Sequence, residues 1–105
     1  MAQIKWAESA LADLNEIAEY IALDKSSAAK KLVAQVFESV KRLKTFPLSG
    51  KVPDELTETR YREIIVGPCR IFYRIEGDTV FILYVMRSER LLRQFILNDR
   101  KNLDK

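Results

Sequence analysis

The chain has 105 residues, of which 48% are apolar and 31% charged, the balance of a soluble globular domain spanning 1–105. Histidine is absent and Cys69 stands alone, which excludes His–Cys zinc sites, Ser-His-Asp triads, the usual neutral-pH acid–base group and any internal disulfide. The net charge of +3 is uneven: residues 1–40 sum to −2 (four Lys/Arg, six Asp/Glu) and residues 41–105 to +5 (fourteen against nine), which favours an anionic partner on the C-terminal part.

No apolar run approaches the ~20 residues that span a bilayer, and the N-terminus MAQIKWAESA lacks the charged-then-apolar layout of a secretory signal. A single cysteine suits a reducing compartment, so the expected location is the cytoplasm, with no membrane association. No metal site or cofactor is expected.

Gln3–Trp6 alternates and reads as a first strand. From Glu8 the spacing becomes helical, with Leu11, Leu14, Ala18 and Ile21 forming a stripe that Ile17 widens and that largely excludes Asp13, Glu16 and Glu19. Leu23-Asp24-Lys25-Ser26-Ser27 breaks this helix, and either serine is a candidate cap for the next. The second helix is predicted from about Ala28 to Leu43 or Phe46, on a stripe of Leu32, Val33, Val36, Val40 and Leu43 with Phe37 beside it. So short a break makes the two helices an antiparallel hairpin.

Pro47 and the segment Leu48–Pro53 end the helix and open a polar connection that continues to Glu58. Three strands follow: Tyr61–Val66, Cys69–Glu76 and Thr79–Met86, joined by Gly67-Pro68 and Gly77-Asp78, which carry hairpin chemistry. In the second of these, Ile71, Tyr73 and Ile75 share one face and Arg70, Phe72 and Arg74 the other. Val80–Val85 is apolar on both faces and is expected at the sheet centre. Leu91, Leu92, Phe95 and Ile96 suggest a terminal helix or packed tail. The fold class is α+β: an N-terminal strand and a helical hairpin packed on an antiparallel meander, with a C-terminal helix or tail.

Six arginines, Arg60, Arg62, Arg70, Arg74, Arg87 and Arg90, punctuate a tract that otherwise reads as buried sheet. Guanidinium groups on strands belong on wet faces, and a sheet that repeats them is a candidate for docking something acidic. The bland alternative is a solvated face paired with Glu63, Glu76 or Glu89, worth ~0–1 kcal/mol per pair. Arg70, Arg87 and Arg90 lie at strand ends or beyond, where a binding surface could collect them. Tyr73 reads as a core aromatic with its hydroxyl at an edge, Cys69 as a small semi-buried filler, and Trp6 and Tyr20 as packing between helix and sheet.

Several segments together carry a family resemblance: Ala10-x-x-Asp13-Leu14-x-x-Ile17-x-x-Tyr20-Ile21, Phe46-Pro47-Leu48-Ser49-Gly50-Lys51-Val52-Pro53-Asp54-Glu55, Tyr61-Arg62-Glu63-Ile64-Ile65-Val66-Gly67-Pro68 and Arg70-Ile71-Phe72-Tyr73-Arg74-Ile75. In their order and spacing the chain resembles toxins of the RelE/ParE superfamily of type II toxin–antitoxin pairs, the ParE-like branch in particular. The resemblance implies a growth-arresting toxin neutralised by a cognate antitoxin. ParE-like members inhibit DNA gyrase by binding, whereas RelE-like members cut mRNA on the ribosome, and fold alone does not choose between them.

As a ribosome-dependent mRNA endonuclease the chain would use Arg62, Arg70 and Arg87 or Arg90. However, Met86-Arg87-Ser88-Glu89-Arg90 stands where one nuclease subgroup keeps a histidine, and Gln94 and Phe95 stand where another keeps a tyrosine. A missing general acid or base is often worth ~10²–10⁴ in rate. The expectation is therefore a gyrase inhibitor docking through Arg70, Arg74, Arg87, Arg90 and Arg93. The antitoxin is expected in the groove between hairpin and sheet, at Leu14, Ile17, Ile21, Val36 and Val40. A third reading is a diverged toxin kept as an antitoxin-binding scaffold.

Overall fold

The computed structural model describes residues 1–56 and 60–88. Strand β1 (Gln3–Trp6) leads into helix α1 (Glu8–Ala22), then α2 (Ser26–Lys41), a 3₁₀ turn at Arg42–Lys44, and strands β2 (Tyr61–Val66), β3 (Cys69–Glu76) and β4 (Thr79–Arg87). The sheet order is β1-β4-β3-β2. The three later strands form the antiparallel meander, and β1 pairs parallel to β4 from Gln3↔Thr79 to Trp6↔Ile82. The sheet is therefore mixed, because a parallel neighbour needs a crossover and the helical hairpin supplies it. As its two-faced apolarity predicts, β4 is interior.

Both hairpin loops have two residues, with positive φ only at the first position (Gly67, 54°; Gly77, 58°). That is the type II′ pattern, which glycine adopts without steric cost and which matches strand twist.

The helices cover one face of the sheet. Ala10 and Leu14 of α1 and Leu32, Val36 and Val40 of α2 are buried against Val66, Cys69, Ile71, Tyr73, Val80, Ile82 and Val85. The α1 stripe is rotated from the expected one: Leu11 is exposed and Ala10 takes the core position. Rotation also brings Asp13 to the sheet, where its carboxylate accepts a hydrogen bond from the Val85 N–H at 3.1 Å. β1 ends at Trp6, level with Ile82, so β4 runs on beyond its partner and Asp13 satisfies a donor that no strand reaches.

Neither serine caps α2. Lys25 holds the N-cap position in an extended conformation, and Ser26 and Ser27 already lie inside the helix. α1 closes instead through its own backbone, the Lys25 N–H donating to the Ile21 carbonyl at 2.9 Å. Tyr20 does not pack between helix and sheet but is exposed, while Trp6 packs on Phe37 with ring centroids 5.0 Å apart.

On the opposite face a smaller cluster joins Leu56, Tyr61, Phe72, Leu83 and Met86. A bulge in β4 governs the facing of its end. Tyr73 pairs with Ile82 but Phe72 with Tyr84, so Leu83 is extra. Val80 and Ile82 face the helices, Leu83 and Tyr84 both lie outside, and Val85 returns to the helical side. The terminal helix or tail expected from Leu91 onward lies outside the described residues.

Candidate functional site

The polar connection after α2 is a strap laid along β2. Lys51 and Glu63 form an isolated antiparallel bridge, Lys51 N–H to Glu63 O at 3.0 Å and Glu63 N–H to Lys51 O at 2.7 Å. Upstream, the Tyr73 hydroxyl donates to the Pro47 carbonyl at 2.7 Å and accepts from the Gly50 N–H at 2.9 Å. Glycine is required there by closeness, since a Cβ at Gly50 would sit 2.5 Å from the Tyr73 oxygen and 2.7 Å from the Glu63 carbonyl. Arg62 grips the same segment, Nη1 donating to the Gly50 carbonyl at 2.7 Å and the Leu48 carbonyl at 3.3 Å. Downstream, Pro53 and Leu56 are buried.

The strap carries Glu55 onto Arg70. The guanidinium is clamped from two sides: Nη1 and Nη2 donate to Glu55 Oε2 and Oε1 at 2.7 Å each, and Nε and Nη2 donate to Glu63 Oε1 and Oε2 at 2.8 and 2.9 Å. Both pairs are bidentate, the geometry in which Arg–carboxylate contacts are strongest. Side-chain exposure is 9% for Arg70, 1% for Glu63 and 18% for Glu55. The Phe72 ring, 5.0 Å from the guanidinium carbon, adds a cation–π contact. The hydrogen bonds Arg70 donates to Glu55 and then to Glu63 raise its pKa further above its already high ordinary value.

This corrects the expectation for Arg70. Far from standing on an open docking face, it is the centre of a mostly buried carboxylate–guanidinium–carboxylate cluster. Strand alternation put it on the solvent side of the sheet; the strap then covered it. Glu55 is a residue of the site that the residue pattern does not single out, since nothing in a polar connection tells which carboxylate will meet a strand arginine. The nearest signal was Glu55 itself, an acidic residue on the loop that leads into the arginine-bearing strands.

The remaining arginines divide between faces. Arg74 lies on the outer face, paired to Glu76 at 3.2 Å and 5.9 Å from the Tyr61 ring centroid, which Arg60 also overlies at 5.8 Å. Arg62 is turned to the strap. Arg87 lies beyond the bulge on the helical side, 5.6 Å from the Tyr20 ring centroid. With Tyr20, Ile21, Leu23 and Asp24 it lines an open concavity of about 550 Å³. Arg70 and Arg87 therefore do not share a surface, and Arg62, Arg70 and Arg87 do not converge on one point. Arg90 and Arg93 lie outside the described residues.

Burial raises the Tyr73 phenol above its ordinary value of 10.0, partly offset by the Gly50 N–H and the Arg62 charge. Its hydroxyl is committed to two backbone partners, so it serves packing rather than proton transfer. Among the residues expected to meet an antitoxin, Leu14, Val36 and Val40 are core side chains that no partner can touch in the folded chain. Helical periodicity marks apolar positions without saying which face the protein's own sheet has taken. Ile17 and Ile21 are only partly buried. The exposed apolar groups of the hairpin are Leu11, Tyr20, Leu23 and Phe37. No helix among the described residues is long and apolar enough to cross a membrane.

Comparison with known proteins agrees with this architecture. Residues 4–92 match the family described as the ParE toxin of the type II toxin–antitoxin system parDE. Y4kP of Sinorhizobium fredii, which is named as a toxin, is 38% identical over 88 residues, covering 84% of this chain and 90% of that protein. Toxin RelE2 of Caulobacter vibrioides is 30% identical over 91 residues, covering 87% of this chain and all of that protein. A solved structure described as the chromosomal ParDE TA system from P. aeruginosa superposes with a TM-score of 0.68 at 28% identity, covering 83% of this chain and 96% of that one. Two helices on a four-stranded mixed sheet, matched across nearly the whole chain by family, relatives and structure, place the protein in the ParE toxin family of type II toxin–antitoxin systems.

Proposed function

We propose that this toxin arrests growth by binding DNA gyrase in the cytoplasm rather than by cutting RNA, and that a cognate antitoxin neutralises it. The observation that carries the reading is the state of Arg70. Phosphoryl chemistry needs cationic and proton-transferring groups gathered within reach of one phosphate. Here Arg70 is saturated by two carboxylates on the outer face, Arg87 lies on the helical side, and the Tyr73 hydroxyl is locked into the strap. That arrangement supports a binding surface better than a catalytic one. ParE-family membership supports gyrase over the ribosome as the target.

The concavity of Tyr20, Ile21, Leu23 and Arg87 is the natural contact surface, since it combines exposed apolar area with a cation. Two assays on purified toxin test the reading. Inhibition of gyrase supercoiling, with intact mRNA on programmed ribosomes, is the expected result. Codon-positioned cleavage with normal supercoiling would overturn it.

A further inference from the structure

Glu55 occupies Arg70 in the manner of a ligand. The two carboxylates around the guanidinium are not equivalent. Glu63 is 1% exposed, belongs to β2 and is held at both backbone atoms by the Lys51 bridge. Glu55 is 18% exposed and comes from the strap, whose anchors on either side do not depend on its side chain. Those anchors are the Lys51–Glu63 bridge upstream and buried Leu56 downstream. Rotation of the Glu55 side chain would clear the outer bidentate slot of Arg70 without breaking the Lys51–Glu63 bridge or the β2–β3 pairing.

We propose that Arg70 is a carboxylate-binding site which Glu55 fills from within, and which an acidic side chain of a partner protein takes by exchange. The exchange breaks one bidentate guanidinium–carboxylate pair and makes another of the same kind, so its chemical balance is close to even. The slot opens into a concavity of about 340 Å³ lined by Lys51, Asp54, Glu63, Ile65 and Ser88 beside the pair. With Glu55 swung out, the charges among the described lining residues, Lys51, Arg70, Asp54 and Glu63, sum to zero. A single carboxylate fits such a site, whereas a phosphate dianion meets two acidic neighbours, with no surplus cation among the described lining residues to offset them. Exposed Ile65 supplies apolar ground for the residue next to the incoming acid. The partner is thus an acidic, partly apolar protein segment and not a nucleic-acid backbone. On the reading above, that segment belongs to the antitoxin, and the inference rests on that reading for the identity of the partner only.

Chemical rescue tests the site without any partner. Glu55→Ala is expected to lower the melting temperature, and acetate or formate to restore several degrees relative to chloride at equal ionic strength. The Arg70 Nε–H cross-peak should shift with acetate in the variant and stay fixed in the parent chain. No difference between acetate and chloride overturns the proposal, as does rescue by phosphate equal to that by acetate.

Antitoxin affinity tests the exchange. A site filled from within keeps only that fraction of its affinity for which it stands open, so removing an internal ligand that fills it about nine-tenths of the time is expected to tighten binding about tenfold. Glu55→Gln retains the side-chain shape and should tighten binding in the same direction should the alanine variant fold poorly. Unchanged or weakened affinity in both variants sinks the exchange. Absence of antitoxin binding by the parent chain as well would instead remove the functional reading and leave the acetate result standing.

Discussion

The Tyr73 hydroxyl and the Gly50 amide nitrogen, 23 positions apart in the chain, are hydrogen-bonded at 2.9 Å. Through this contact the buried centre of the sheet holds the start of the strap, and the strap in turn delivers Glu55 to Arg70. The phenol also donates to the Pro47 carbonyl, so a single side chain satisfies the buried Gly50 amide and the part-buried Pro47 carbonyl.

Replacing Tyr73 by Phe is expected to destabilise the fold by about 1–3 kcal/mol, the penalty for leaving buried polar groups unpaired. The pH dependence should change with it. Because the folded-state pKa is raised above 10.0, the folded protein retains this proton more tightly than the unfolded chain. The neutral phenol's contribution is therefore complete below about pH 10 and is lost as pH rises through the folded value. Urea titrations between neutral pH and pH 11 should show a steeper alkaline fall for the parent chain than for Tyr73→Phe. Parallel curves would assign the alkaline loss to other groups.

The Glu63–Arg70 pair predicts an asymmetry. Arg70→Met leaves the Glu63 carboxylate buried without its cation and is expected to cost about 3–5 kcal/mol. Glu63→Gln combined with Arg70→Met removes the stranded charge and should recover a large part of that loss. A double-mutant cycle on denaturation midpoints reads the coupling directly. Additive losses would mean that the pair contributes little to stability.

Elements and their order were legible because periodicity and turn chemistry act locally. The α2 stripe and the Gly67 and Gly77 hairpins needed no knowledge of the rest of the chain. The division of the arginines between faces was not legible, for a physical reason. Val80–Val85 is apolar at every position, so alternation leaves no trace in it. The bulge at Leu83, which decides the facing of Arg87, is invisible there. The fate of Arg70 was hidden differently. Alternation fixed its face, but a strap fifteen positions upstream in sequence decided whether that face was wet. Core and exposed positions of the hairpin share the same apolar residue types, so Val36 and Leu11 could be told apart only once the sheet was in place.

Asp13 offers a test of how β4 ends its pairing. Its carboxylate takes the Val85 N–H that lies beyond the reach of β1. Asp13→Ala is expected to lower stability by about 1–2 kcal/mol, and to speed amide exchange at Val85 more than at Ile71 in the neighbouring strand. Asp13→Asn keeps an acceptor and should retain most of the protection. Equal exchange in all three proteins would show that another group satisfies this amide.

Leu23 and Val36 lie on the same helical hairpin and predict opposite phenotypes. Leu23 is 86% exposed at the rim of the concavity that holds Tyr20 and Arg87, whereas Val36 is fully buried between α2 and the sheet. Leu23→Asp should leave the denaturation midpoint within about 0.5 kcal/mol of the parent, as surface substitutions do. If this rim is the contact surface, the same change weakens partner binding by about tenfold or more, since apolar anchors beside a cation carry much of the energy of such an interface. Val36→Asp places an unpaired carboxylate in the core and should prevent folding at ambient temperature. Titration calorimetry against the antitoxin, and supercoiling assays against gyrase, then separate the two partners. Loss of one with retention of the other assigns the rim to a single partner. Full retention of both would move the contact surface away from the hairpin tip.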